Sequence, residues 1–236
     1  MPVESPLKPR KTSSIREIRR DQLSRAAFEA VARYGLRRAT FERVGELAGV
    51  SKGVVLHHFP DKTVLLEAVF LRSNSLLSET LIELYRHAEN PRERLWAIVV
   101  ANFYEAIFNQ RVCQAWVALA SEIPHSVQCQ RIQTACNARI DSNLRHALKH
   151  FLNKQDAVRA SRQLGLLIDG MWVRGGLQSG ALSSEAAIDE MEYAILKLMP
   201  GDEEHVRQHR QARLKIEKVA TIALGSKAYK DNVMAL

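Results

Sequence analysis

Thr40-Phe41-Glu42-Arg43-Val44-Gly45-Glu46-Leu47-Ala48-Gly49-Val50-Ser51-Lys52-Gly53-Val54-Val55-Leu56-His57-His58-Phe59-Pro60-Asp61-Lys62 is the stretch that decides the fold. Thr40 suits the N-cap of a helix over Phe41–Ala48, and Ser51 that of a second over Lys52–His58. Gly49 stands between them, where a tight turn calls for a positive φ. Val44, Leu47, Val50, Val55 and Phe59 supply the inward side of this pair. Ser51, Lys52, Gly53, Val54, Leu56, His57 and His58 stay near or on the outward side. Two short helices joined so tightly have the layout of a helix-turn-helix. Its second helix is small enough to lie in a DNA major groove, where base edges carry a full donor and acceptor code. The Thr40 hydroxyl and the amides at the helix starts can hold phosphates, Lys62 can reach another, and Gly53 permits a close approach to the duplex. The alternative is a purely structural helical hairpin.

Charge points the same way. The chain has 236 residues and a formal net charge of +8. Residues 1–62 hold 13 Lys and Arg against 7 Asp and Glu, whereas residues 63–200 hold 14 of each. The basic excess thus accompanies the helix-turn-helix, as a phosphate backbone requires, although a solvated basic surface would look the same.

The rest of the chain reads as helix. Hydrophobic residues make up 46%, Pro (7) and Gly (11) are scarce, and strand-like alternation is rare, so an all-α fold is expected. Ser14 and Glu17 fit a capping box for a first helix that Gly35 ends. Further helices are expected over about 62–87, from Pro91 to about Phe108, over 111–121, from Pro124 to about Phe151, over 155–179, and from a Ser183 cap to about Met199. The expected organisation is a disordered arm over 1–13, a three-helix DNA-binding domain over 14–61, a larger helical ligand-binding and dimerisation domain over 62–200, and an extension over 201–236 that can form one helix.

No apolar run approaches the roughly 20 residues of a membrane span, and the N-terminal residues lack a signal-peptide core, so a cytoplasmic protein is expected. Cys113, Cys129 and Cys136 show no Cys-x-x-Cys spacing and read as reduced, buried thiols. His146/His150 and His205/His209 have the i, i+4 spacing of metal ligands, but two ligands are too few; they read as surface histidines, and no metal or cofactor is expected. Neighbouring His57 and His58 point about 100° apart and cannot share an ion. No P-loop, dinucleotide fingerprint, His-Glu-x-x-His or nucleophile elbow appears, which argues against an enzyme.

Ala48-Gly49-Val50-Ser51-Lys52-Gly53 followed by His58-Phe59-Pro60-Asp61-Lys62 resembles the TetR family of one-component repressors, over about Ile15 to Phe70. The recognition helix departs from the family at Leu56 and His57, where Tyr is frequent. In the second half, Gln114-Ala115-Trp116-Val117-Ala118-Leu119 and Leu166-Leu167-Ile168-Asp169-Gly170-Met171-Trp172-Val173-Arg174 resemble the choline-responsive, betaine-operon branch of that family, with departures at Tyr104 and Ala120. The likeness runs to about Pro200.

The resemblance implies a homodimer on a palindromic operator in double-stranded DNA, released by a small-molecule effector such as choline. It also implies dimerisation through the helices over 155–179 and 184–198, where Leu164, Leu167, Ile168, Met171, Ile188, Met191, Ile195 and Leu198 fit an interface. A quaternary ammonium donates no hydrogen bonds and is held by aromatic faces and a carboxylate. Trp116, Trp172 and Asp169, with Phe103, Tyr104 and Glu105 on an earlier helix, are the candidate cage; the alternative is that the aromatics are core and Asp169 is a cap or an ion-pair partner. A repressor of the same family sensing another small molecule, and an architectural DNA binder without effector, are the competing readings.

Overall fold

A computed structural model describes residues 15–178, 180 and 182–225. Helix α1 (Ile15–Tyr34) buries Leu23, Ala26, Ala27, Ala30 and Val31, a stripe at helical spacing. It stops at Gly35, whose φ of 76° no other residue type adopts as freely, and a 3-10 turn (Leu36–Arg38) follows. Helices α2 (Phe41–Ala48) and α3 (Lys52–His58) occupy the expected spans and pack with α1 around Phe28, Val44, Val55 and Phe59. The expected Ser14 cap and the arm over 1–13 lie outside the described residues.

Helix α4 (Lys62–Tyr85) starts behind an Asp61 side-chain cap and runs about 36 Å at 1.5 Å per residue. It leaves α1 at one end and meets α5 (Pro91–Phe103) and α7 (Val127–Leu148) at the other. Helix α5 is apolar on every side: Leu95 to Ala101 and Phe103 are almost wholly buried. Such a helix must be central, and α4, α7, α9 (Ser184–Leu198) and α10 (Glu203–Ala223) surround it. Helix α6 (Gln110–Ala120) packs chiefly on α8 (Lys154–Leu177). At that contact, a Cβ on Gly176 would come within 2.7 Å of the Cys113 carbonyl oxygen, and one on Gly175 within 3.1 Å of Cys113 Sγ. The two helices therefore approach as closely as glycine allows. No strand occurs among the described residues.

Several expectations need correction. Helix α5 ends at Phe103, not Phe108, because the Tyr104 backbone turns extended and Ile107 and Phe108 fold back into the core. Pro124 sits in a 3-10 turn; Ser126 caps α7, its Oγ accepting from the Cys129 amide and donating to Glu67. The supposed interface residues Leu164, Ile168, Met171, Ile188, Met191 and Ile195 are buried within this chain, and Leu167 and Leu198 pack against the same core. Apolar side chains that do face outward are Leu166 (66% exposed) and Leu177 (67%), with Val173 on the same side of α8 and Tyr193 on α9. His209 is not a surface residue: it is fully buried on the inner side of α10. The three cysteines are buried and free, and burial pushes each thiol up, that of Cys113 to about 12.

Helix α10 is bound tightly to the bundle. Ala212, Ile216 and Ala220 are buried on its inner side. Arg213 pairs with Asp189, Glu192 and Glu217, and Lys215 reaches both Glu89 and Glu93 at 2.8 Å.

Candidate nucleic-acid interface and ligand site

The reading end is built by short-range chemistry. Thr40 Oγ1 accepts from the Arg43 amide and Ser51 Oγ from the Val54 amide, so each short helix has its N-cap. Gly49 takes φ 67°, ψ 32°, and its amide returns to Glu46 and Gly45. Gly45, which the sequence reading passed over, is equally demanding: a Cβ there would lie 2.7 Å from the Val50 carbonyl oxygen. The turn therefore sits directly on α2. Arg20 of α1 donates to the His58 carbonyl and stacks 4.3 Å above the Phe59 ring, holding the far end of α3.

Of the expected DNA-facing residues, Thr40, Ser51, Lys52, Gly53, Val54, Leu56 and His57 are exposed. Lys52 Nζ is 2.5 Å from Glu42 on the same surface. His58 departs from expectation. It is only partly exposed, its Nδ1 is buried without a partner among the described residues, and burial, then His57 and the Arg16, Arg20 and Arg19 charges, lowers its pKa. Lys62 is half-exposed and already engaged within the fold: its Nζ donates to the Leu36 carbonyl at 2.7 Å, bracing the 3-10 turn. The sequence reading missed Arg37 and Arg38, exposed in the turn just before Thr40. The adjacent basic pair next to a helix cap was the available signal. Arg43 supports them, donating to the Arg38 carbonyl and stacking on Tyr34.

The second site lies where α4, α5, α6, α7 and α8 converge. Trp116 on α6 and Trp172 on α8 stand with ring centroids 5.7 Å apart and planes at 55°. Asp169 lies one turn before Trp172 and lines the same cavity. Among the described residues this carboxyl makes no hydrogen bond or ion pair, and burial raises its pKa. The other polar lining comes from amides: Asn74, Asn102, Gln133 and Asn137. Gln133 donates to Asn137 at 2.7 Å and keeps its own carbonyl oxygen buried without a partner. The cavity is small, about 20 Å³, room for one water.

The expected cage is brought together only in part. Phe103 is fully buried and reaches Trp172 through Phe108, whose ring stands 4.9 Å from Phe103 and 5.6 Å from Trp172. Tyr104 and Glu105 line a different groove, between α5, α9 and α10, with Ser184, Glu185 and Arg213. The end of α5 at Phe103 is what separates them from the tryptophans. Phe108 and the four amides were not foreseen, because they are recruited from elements distant in sequence.

The description "Bacterial regulatory proteins, tetR family" matches residues 23–69, and "BetI-type transcriptional repressor, C-terminal" matches residues 91–200. The HTH-type transcriptional regulator BetI of Pseudomonas aeruginosa is 37% identical over 176 residues, 73% of this chain and 88% of that protein. BetI of Stenotrophomonas maltophilia is 34% identical over 172 residues, 72% and 88% of the two chains. Among solved structures, a transcriptional regulator from Pseudomonas aeruginosa PAO1 superposes with a TM-score of 0.66 at 23% identity, covering 84% of this chain and 95% of its own. The fatty acid degradation regulator FadR from Bacillus halodurans gives 0.66 at 16%, covering 82% and 99%. These two establish the fold alone. The matched reading head, the matched ligand half and the shared identity over most of the length together make the chain a member of the TetR family of DNA-binding transcriptional regulators, of the BetI type.

Proposed function

We propose that the chain is a homodimeric repressor whose operator affinity is lowered by a small organic cation of the quaternary ammonium class, choline being the first candidate. One observation carries the reading: the Asp169 carboxyl is half-buried, has no partner among the described residues, and adjoins two tilted tryptophan rings. Removing a carboxylate from water without a partner is costly. A cation seated against the Trp116 and Trp172 faces offsets that cost and gains cation–π attraction on the order of 2 kcal/mol once desolvated. The name BetI on the relatives agrees with a betaine-linked effector.

Asp169, Trp116 and Trp172 are the assigned effector contacts. Tyr104, Glu105 and Phe103 are withdrawn as direct contacts. For DNA, Thr40, Ser51, Lys52, Gly53, Val54, Leu56 and His57 are assigned, with Arg37 and Arg38 added as phosphate contacts. The dimer contact is assigned to the outward side of α8 and α9, around Leu166, Val173, Leu177 and Tyr193. Two copies then set their α3 helices into successive major grooves of a palindrome, about 34–36 Å apart. No helix among the described residues is long and apolar enough to cross a membrane. A cytoplasmic location follows from the DNA-reading role.

A cavity of about 20 Å³ cannot take choline without movement of its walls. The effector therefore selects a state in which α6, α7 and α8 stand further apart. Any preference of that state against DNA lowers operator affinity by linkage. Titration calorimetry with choline, betaine aldehyde and glycine betaine tests the site. Saturable heat with choline that vanishes in Asp169→Asn is expected; heatless mixing of the folded protein with all three compounds refutes the cage.

A further inference from the structure

We propose that α3 reads its operator chiefly through thymine methyl groups, with Val54 and Leu56 as the specificity-determining side chains; this rests on α3 being the helix that enters the groove. Val55 is fully buried and fixes the inward direction of α3. Val54 and Leu56 point about 100° to either side of it. They form the two flanks of the outward face, with Gly53 and His57 between them. Val54 is 36% exposed and Leu56 37%, and neither packs against the hydrophobic core.

The polar neighbours are largely committed. Ser51 Oγ caps the helix, Lys52 pairs with Glu42, and His58 turns toward α1, leaving His57 as the polar side chain on the face. The major groove offers an aliphatic side chain one methyl partner, the thymine 5-methyl; the other groups that distinguish the base pairs there are donors and acceptors. Short aliphatics reach a methyl only if the helix lies deep. Gly53 supplies that depth: a Cβ there would meet nothing in the protein nearer than Ser51 Oγ at 3.7 Å. The fold does not require glycine at 53, whereas close docking on DNA does.

The test uses the full-length chain. Duplexes selected from a random pool are remade with deoxyuridine replacing thymine one position at a time, which deletes only the methyl group. Each half-site is expected to contain two positions where this weakens binding about fourfold, the loss for one buried methyl. Leu56→Ala should make one of those positions indifferent to the methyl, and Val54→Ala the other; circular dichroism and melting of both should match the parent chain, since both side chains are exposed. Selection of a defined sequence with no deoxyuridine effect at any position overturns the proposal. Selection of no sequence at all overturns the reading by α3 on which it rests.

Discussion

Arg111 on α6 donates from Nη1 to both carboxylate oxygens of Glu29 on α1, at 2.7 and 2.8 Å. The Glu29 side chain is mostly buried and also holds Arg33. Arg111 lies five residues before Trp116 on the same helix, so one rigid element touches both the cavity proposed for the effector and the reading head. A second ion pair, Arg72 to Asp21 at 3.1 Å, ties α4 to α1.

If the proposed effector displaces α6, the Arg111–Glu29 contact carries that movement directly to α1. Arg111→Ala is expected to leave effector affinity within about twofold, because Arg111 is outside the cavity. It should shrink the effector's reduction of operator affinity several-fold, a loss of coupling on the order of 1 kcal/mol. Arg111 is itself well exposed, so the pair contributes only about 1 kcal/mol or less to stability. DNA-binding titrations with and without effector, run on both proteins, check this.

Gly176 and Gly53 make opposite predictions. Gly176→Ala drives a Cβ to 2.7 Å from the Cys113 carbonyl oxygen, a backbone atom that cannot yield, so α6 must shift. Urea denaturation should show a loss of about 1–3 kcal/mol. Gly53→Ala meets only Ser51 Oγ at 3.7 Å, gains about 1 kcal/mol of helix propensity, and should not destabilise. Its cost should appear in operator affinity alone.

Burial, then the charges of His205 and Arg92, holds His209 down to about 4, against Glu192, which acts the other way. The ring is fully buried and neither nitrogen has a partner among the described residues. A histidine with its folded pKa depressed below the unfolded 6.5 stabilises fully above about pH 6.5 and loses that contribution as pH falls toward 4. The expected loss is about 3 kcal/mol by pH 4. Stability measured against pH should be flatter over that window in His209→Phe than in the parent chain.

Helix α10 lies beyond the matched region, which ends at residue 200, yet it covers one side of α5. Ile216→Ala is expected to cost about 2–5 kcal/mol, as for a buried aliphatic in any core. A loss under about 0.5 kcal/mol in urea denaturation, the range of an ordinary surface substitution, would show that α10 is not part of that core.

The reading head was legible because local chemistry determines it. The caps Thr40 and Ser51, the positive φ of Gly49 and the span of each short helix involve residues at most five apart. What failed was long-range. Nothing near Phe103 breaks a helix; α5 stops because Phe108 packs on Phe103 and Trp172, which no local pattern records. Leu164, Ile168 and Met191 have the spacing of an apolar stripe, but spacing cannot say whether the covering surface is this chain or another. Lys62 is engaged by Leu36, 26 residues back, and Tyr104 was separated from Trp116 by the same turn that ended α5. The Trp116–Trp172–Asp169 grouping was found from resemblance, and only the three-residue spacing of Asp169 and Trp172 was local.

The central claim is that the chain releases DNA when an organic cation occupies the Asp169 site. It is tested most directly by fluorescence anisotropy of a labelled duplex, selected by the protein itself, titrated with choline. The account predicts that anisotropy falls to that of free DNA for the parent chain and stays high for Asp169→Asn. Anisotropy that stays high for the parent chain at saturating choline, or falls equally in both proteins, would contradict it.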